Sequence, residues 1–530
     1  MTVSRASAFL ATLVGGVLSW SATQAQMDPP LKMVPPTPQT NPLDRVGLVD
    51  PRSAGVPGWT WYGTTMAEAR ALVLGLPSAP QSRVLRDLQF RLLTAGALPP
   101  RPDGAEPILF TLRVEKLAAM GEAENANELL RLGRSGEGPM TAQLVTEALM
   151  RARQRDSACT RVKEAVEAPD KMWWRQAAIV CDLHARRNEA ARAALEPLRG
   201  QGDATFIALA NRILNGGAAP SVGPTEDGLL LALIDIAGLA TPTTNADSPG
   251  VLRAAIENKA IPLAGRVEIA ERAERNGLVE PERLAQFYGE LARGLKETAA
   301  TSPTAWRAVV FAQAQGATSN EQRVVLAHRL YQASSDTAGS AIRALSAAIA
   351  AARPTVAHAE FATSGMLAVL TLERYDRAAE WFAAAQGGPA EQSADRVALL
   401  APLAAIAGLS NRVPLDPGLL GRRAALRPRT APALHAVLSG MSLASRDALT
   451  SLAPNAAQAT PDRAITALLA AADAERFAET ISRAISLAGS TPLPNLELEK
   501  VTAILRAFMR IKRPDLARSF ALEYALLMEL

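Results

Sequence analysis

The sequence predicts an all-α fold, an elongated array of antiparallel helix pairs. Three observations lead there. Hydrophobic residues make up 48% of the 530-residue chain and aromatics only 4%, so the core must be built from Ala and Leu. Both residues favour helices and let them approach closely. Strand-type runs of Val, Ile, Tyr and Phe are nearly absent. Short Gly/Pro breaks recur between stretches whose apolar residues fall on one helical face, for example Pro99-Pro100, residues 136–139, Ala168-Pro169-Asp170 and residues 200–203.

The chain begins with a pattern of export. Arg5 supplies a short basic start, residues 6–20 are an apolar run, and Ser21, Ala22, Thr23 and Ala25 precede an expected cut after Ala25. Residues 1–25 therefore read as a signal peptide. The run is shorter than the ~20 residues of a comfortable membrane span, with an uncleaved anchor as the alternative. No Cys lies near the cut, which excludes a lipoprotein attachment. Later apolar runs are broken by Arg, Glu, Asp or Pro, so no stable membrane span is expected in the mature chain. Arg far outnumbers Lys and Ala is abundant, which suggests a GC-rich Gram-negative genome and a periplasmic location. Residues 26–58 hold eight prolines and read as an extended, mostly unfolded leader.

The elements follow in order. Helices are expected near 65–75, 81–95, 105–119, 122–133, 139–154, 157–167, 171–185, 188–198 and 203–214, in antiparallel pairs. Residues 59–215 form the first helical region, and the Gly-, Pro- and Thr-rich stretch 216–228 marks a boundary. Pairing resumes over 226–410. There Asn276-Gly277 stops a helix, Pro281 opens the next, and Leu284, Phe287, Tyr288 and Leu291 share a face. Residues 411–432, rich in Arg and Pro, read as a linker before a last region, 433–530, with helices near 433–440, 460–472, 475–487, 496–511 and 514–529.

Cys159 and Cys181 are the only cysteines, and each lies 11 residues from Asp170 at an expected turn. Residues equidistant from the turn of an antiparallel hairpin face one another, which in an oxidising compartment argues for a disulfide. Cys181, Asp182 and His184 with Cys159 invite a zinc reading. A closed site needs four ligands and no fourth is near in sequence, so no metal and no cofactor is expected. His328, His358 and His435 are isolated.

At residues 372–385 one helix ends, the chain turns and a second helix begins. Ala378, Phe382 and Ala385 stand at i, i+4 and i+7 on one face, small, bulky and small. This resembles the second-helix half of a tetratricopeptide repeat, and the resemblance implies a degenerate TPR-like α-solenoid. The first-helix half departs from the family: Ala362, Gly365, Met366 and Val369 stand where it favours Trp, Leu, Gly and Tyr. Generic helix-hairpin packing uses the same residue types and remains open. A second resemblance rests on Trp173-Trp174 with Cys181-Asp182-Leu183, on residues 202–206, and on Ala270, Glu271, Arg272 and Ala273 ahead of Leu284 and Tyr288. These are similar to a group of uncharacterised Ala-rich envelope proteins of alphaproteobacteria. Some carry an antifreeze-like label that follows Ala content, and the likeness implies no activity.

Trp59, Trp61 and Tyr62 follow the leader, and Trp173 and Trp174 open a helix of the cysteine hairpin. They are candidate partner-binding residues, with packing anchors as the competing reading. No Gly-x-Ser-x-Gly, phosphate loop, His-Glu-x-x-His or dinucleotide glycine pattern occurs, and no catalytic residue is assigned. Glu271 and Glu274 stand among Arg266, Arg272 and Arg275, the pattern of a solvated, charge-paired face. Net charge is only +4 and dispersed, so a nucleic-acid surface is not indicated. The expected function is a non-catalytic scaffold that holds an envelope protein along a helical groove. An envelope-polysaccharide enzyme, or its helical domain, and a purely structural component are the alternatives.

Overall fold

The computed structural model describes residues 41–103, 108–133, 138–165, 171–200, 203–244, 248–295, 300–333, 339–409, 414–453 and 462–530. The expected signal segment, the first part of the leader and the turn Ala168-Pro169-Asp170 lie outside the described residues. The described residues contain twenty-seven α-helices and no strand. None of these helices is long and apolar enough to cross a membrane.

Helix starts follow from side-chain caps. Thr65 and Glu68 form a capping box before Met66–Gly75. Asp227, Ser248, Ser302 and Asp462 each accept from backbone N–H groups at the starts of their helices. Such caps satisfy N–H groups that the helix itself cannot. Several helix ends share one device. The residue after the last turn is left-handed, and the next N–H returns to a carbonyl five residues back. At residues 372–374, Glu373 has φ +53°, with Glu373 N–H to Leu370 O at 3.0 Å and Arg374 N–H to Val369 O at 3.0 Å. The device recurs at Arg153, Arg186, Ser442, Glu475 and Lys512. None of these is glycine, so the sequence hides the stops.

Two hairpins show how pairs are held. Helices Arg155–Glu164 and Lys171–His184 pack together, and Cys159 and Cys181 are joined in a disulfide with Cα atoms 5.5 Å apart. Helices Ala362–Thr371 and Tyr375–Ala385 form the other. Ala378, Phe382 and Ala385 are all buried on its shared face. Burying Phe382 contributes about 1.5–3 kcal/mol. Trp381, also fully buried, lies on Gly365, where an added Cβ would sit 2.4 Å from ring atoms Cε3 and Cζ3. Glycine is thus the condition for the close approach of these two helices.

Three features depart from the expected organisation. Residues 41–58 are packed against the first helices instead of being extended. Arg113 is buried and donates from Nε to Leu93 O at 2.7 Å, from Nη1 to Val46 O at 2.9 Å and from Nη2 to Ala95 O at 3.0 Å. Asp44 accepts from Phe110 N–H at 2.8 Å, and Ala54 and Val56 join the core. The prolines there fix φ without preventing burial. The stretch 411–432 contains helix Pro417–Leu426, with Asp416 as N-cap, Pro417 in the first turn, and Leu420 and Arg423 buried. A proline at a helix start fits the first turn rather than breaking it; residues 411–413 lie outside the described residues.

The third feature is that the array does not end free. Helices Met66–Gly75 and Arg83–Thr94 pack on Phe477–Ala488, and Arg83–Thr94 also packs on Pro514–Leu527. Ala478 N–H donates to Thr60 O at 3.0 Å, and Arg513 Nη1 to Gly55 O at 3.0 Å. Contacts also cross both expected boundaries. The almost wholly buried helix Gly228–Ile236 packs on Pro139–Arg151, and Ala390–Ile406 packs on Pro514–Leu527. Residues 40–530 accordingly form one unit.

Candidate functional site

Helices Pro281–Arg293, Pro303–Gln315, Ser340–Ala344 and Ser346–Ala351 line a groove of about 730 Å³. Its walls are small and apolar, with Ala285, Gly289, Ala312, Ala344 and Ala347 along them and Phe311 below. Gln286, Arg293 and Gln315 supply polar groups at its surface. A Cβ on Gly289 would meet only Phe311 Cε1, at 4.0 Å, so the groove is wide because its lining is short.

The helices around this groove are tied from beneath by carboxylates of Leu263–Arg275. Glu271 accepts from Tyr288 Oη at 2.5 Å and from Arg307 Nε and Nη2 at 2.7 and 2.6 Å. Glu274 accepts from Arg343 Nε and Nη2 at 2.7 and 2.8 Å, and from Arg83 Nη1 at 3.0 Å. Both carboxylates are buried, which corrects the expectation of a solvated face. Their partners are not the neighbouring arginines of the same helix. They come from Pro281–Arg293, Pro303–Gln315, Ser340–Ala344 and Arg83–Thr94. Burial and the adjacent Glu271 carboxylate push the Tyr288 hydroxyl well above its usual range. Burial by itself would lower the Arg343 guanidinium, but Glu274 more than offsets this and raises it. Buried pairs of this kind add little net stability, yet losing one partner costs about 3–5 kcal/mol. They join Leu263–Arg275 to four other helices.

A second cavity, of about 610 Å³, lies where the first, middle and last helices come together. Arg83, Arg343, Glu373 and Glu523 line it. Glu523, on Pro514–Leu527, caps a helix more than 400 residues away. Its Oε1 accepts from Arg83 N–H at 2.5 Å; its Oε2 accepts from Ser82 Oγ at 2.5 Å and Val84 N–H at 3.2 Å. Burial pushes the Glu523 carboxyl above the usual range, against the pull of these donors and of Arg343. Glu271, Glu274 and Glu523 each accept from donors on other helices.

The candidate aromatic residues separate by burial. Trp59 and Tyr62 are 51% and 76% exposed, while Thr60 and Trp61 between them are buried. The exposed pair therefore stands on a segment anchored by Trp61 and by the Thr60–Ala478 hydrogen bond. Trp174 is buried, and Trp173 is half-buried, edge-on to it with ring centroids 4.9 Å apart.

Compared with family models, curated proteins and solved structures, the chain finds no match. The site must be read from its own residues.

No cluster of three or more metal-ligating side chains occurs among the described residues, and Cys181 is committed to its disulfide. His184 lies 3.1 Å from Asp156 instead. Sequence reasoning missed Glu523, Arg83 and Arg343, because nothing local distinguishes a helical Glu or Arg whose partner lies hundreds of residues away. Ser82 carried the one available signal, as an N-cap residue before a helix of strong amphipathic pattern.

Proposed function

We propose that this protein is a non-catalytic adaptor of the periplasm, a TPR-like helical array that holds an envelope protein partner in the groove between Pro281–Arg293, Pro303–Gln315 and Ser340–Ala351. The observation that carries this reading is the groove's lining, Ala and Gly walls over a Phe311 floor with Gln and Arg at its surface. A partner helix needs short side chains opposite it to approach closely, an apolar strip to bury, and polar groups at the rim to fix its register. The buried network beneath supports the reading in a second way. A preorganised groove loses little conformational freedom on binding. Trp59 and Tyr62, exposed on a pinned segment, offer a further aromatic contact of the type enriched at interfaces. The disulfide of Cys159 with Cys181 is compatible with a location outside the cytoplasm.

The test is in-cell crosslinking with mass spectrometry of the wild-type chain and of Ala312→Arg and Ala347→Arg. Both alanines are exposed in the groove, so the substitutions should leave the fold intact by circular dichroism. The adaptor reading expects a reproducible envelope partner whose recovery falls at least about tenfold in either variant, the loss of roughly 1.4 kcal/mol. A partner recovered equally from all three proteins removes the groove from the argument. Purified protein that degrades an envelope polysaccharide overturns the reading altogether.

A further inference from the structure

Helix Arg155–Glu164 is held unlike its neighbours. Seven of its ten residues are polar, and Ala158 is its one buried residue. Cys159 and Val162 beside it are half-buried. Every other helix of eight or more residues has at least two buried residues among those described. Gln154, before its first turn, makes no side-chain cap. A ten-residue helix does not persist on propensity alone and depends on what it packs against. Here the apolar anchor is small, and the covalent link from Cys159 to Cys181 on Lys171–His184 supplies what the packing does not.

The helix can leave without stranding a buried charge. Arg155 pairs with Asp235 of Gly228–Ile236, but Arg153 pairs with the same carboxylate. Asp235 therefore keeps a cation when Arg155 withdraws. Burial, and after it the Arg153 charge, push the Arg155 guanidinium down to about 10, so that group regains hydration on leaving. Two further contacts are modest. Arg161 Nη1 donates to Asn127 Oδ1 at 3.1 Å, and His184 Nε2 lies 3.1 Å from Asp156, whose side chain is fully exposed. A hinge is also in place. Arg153 has φ +63°, and the N–H groups of Arg153 and Gln154 return to Met150 O and Leu149 O at 3.2 and 2.9 Å. Helix Pro139–Arg151 is thus closed off before Arg155 begins.

We propose that the Cys159–Cys181 disulfide is a redox switch, whose reduction by a dithiol releases helix Arg155–Glu164 and uncovers the faces of Pro139–Arg151 and Lys171–His184 on which it rests. The chemistry is thiol–disulfide exchange. A thiolate of the reductant attacks the sulfur of Cys159, the more exposed of the two residues. The S–S bond breaks, and Cys181 leaves as a thiolate and takes up a proton. The second thiol of the reductant then displaces Cys159 from the mixed disulfide. The protein gains two electrons and two protons, and the dithiol becomes a disulfide. For a link spanning 22 residues the chain-entropy model gives a factor on the order of 100 in the equilibrium. The switch is separate from the groove and does not depend on the adaptor reading.

The test is native-state hydrogen exchange, read by mass spectrometry, on the oxidised protein, on the protein reduced with dithiothreitol, and on the same sample reoxidised. The amides of residues 158–165, which are hydrogen-bonded within this helix and at its two ends, should exchange about 100-fold faster after reduction. Those of Ala362–Thr371 should change by less than about threefold. Reoxidation should restore the original rates. Cys159→Ala with Cys181→Ala should show the same local loss with no reductant present, which separates the switch from a side effect of dithiothreitol. Unchanged protection over residues 158–165 after reduction overturns the proposal. So does a loss spread equally over both segments, the mark of a disulfide that stabilises only the fold as a whole. Protection that does not return on reoxidation overturns it as well. Should the double variant fail to fold, the reduced and reoxidised wild-type protein decides the matter without it.

Discussion

Replacing Glu523 with Ala should destabilise the whole unit through one helix start. The substitution leaves the Ser82 hydroxyl and the Arg83 and Val84 N–H groups without their acceptor. Leu85 N–H keeps its bond to Ser82 Oγ at 3.1 Å, so the helix itself still begins at the same place. An orphaned donor costs about 1–3 kcal/mol when buried. The Val84 bond is the longest of the three and cavity water can reach part of this site, so the low end applies. The sum is about 3 kcal/mol, with about 1–2 kcal/mol for Glu523→Gln, which keeps one carbonyl acceptor. Urea unfolding of the protein, followed by circular dichroism, measures both. Native-state hydrogen exchange should show lost protection at Arg83 and Val84 first. The pH dependence has a definite sign. Because the folded-state value of Glu523 is raised above 4.5, its linked contribution is fully present below 4.5 and is lost as pH rises through the raised value. The stability of wild type relative to Glu523→Gln should therefore improve on acidification. A Glu523→Ala protein within about 0.5 kcal/mol of wild type, the range of ordinary surface substitutions, would refute the account of how the two ends are joined.

Two further outcomes are expected. Gly365→Ala puts a Cβ into the Trp381 ring, and overpacking of this kind costs about 1–3 kcal/mol or more; Trp fluorescence and the unfolding midpoint should both shift, and an unchanged midpoint would show that the two helices can separate freely. Cys159→Ala with Cys181→Ala opens a link spanning 22 residues, for which chain entropy gives about 3 kcal/mol. Equal stability of reduced and oxidised protein by calorimetry would contradict that figure.

Much of the array was legible in local sequence because helices announce themselves locally. The expected helices near 65–75, 139–154 and 171–185 appear as Met66–Gly75, Pro139–Arg151 and Lys171–His184. Periodic Ala and Leu faces give the element, and caps and breaks give its ends. The disulfide was legible for the same reason: equal distance from a turn is a property of the hairpin itself. Ala378, Phe382 and Ala385 followed from helical spacing, which alone brings them to one face.

What the sequence could not settle was the fate of its charges and of its ends. Glu271 and Glu274 look solvated beside Arg272 and Arg275, and only the arrival of Arg307 and Arg343 from other helices makes their burial tolerable. Arg423 sits in a stretch that reads as linker, because Pro417 and a high Arg content mimic a break until a neighbouring helix covers it. Trp61 and Tyr62 are adjacent and chemically alike, yet one enters the core and the other faces solvent. The meeting of the first and last helices through Glu523 has no local signature beyond Ser82 as an N-cap residue, which marks a helix start and not its distant partner. The hydrogen bonds and apolar periods that shape a helix act over a few residues and are written in the chain. Which helix end is capped by which distant carboxylate is decided only when packing brings the two together, so it belongs to the tertiary structure alone.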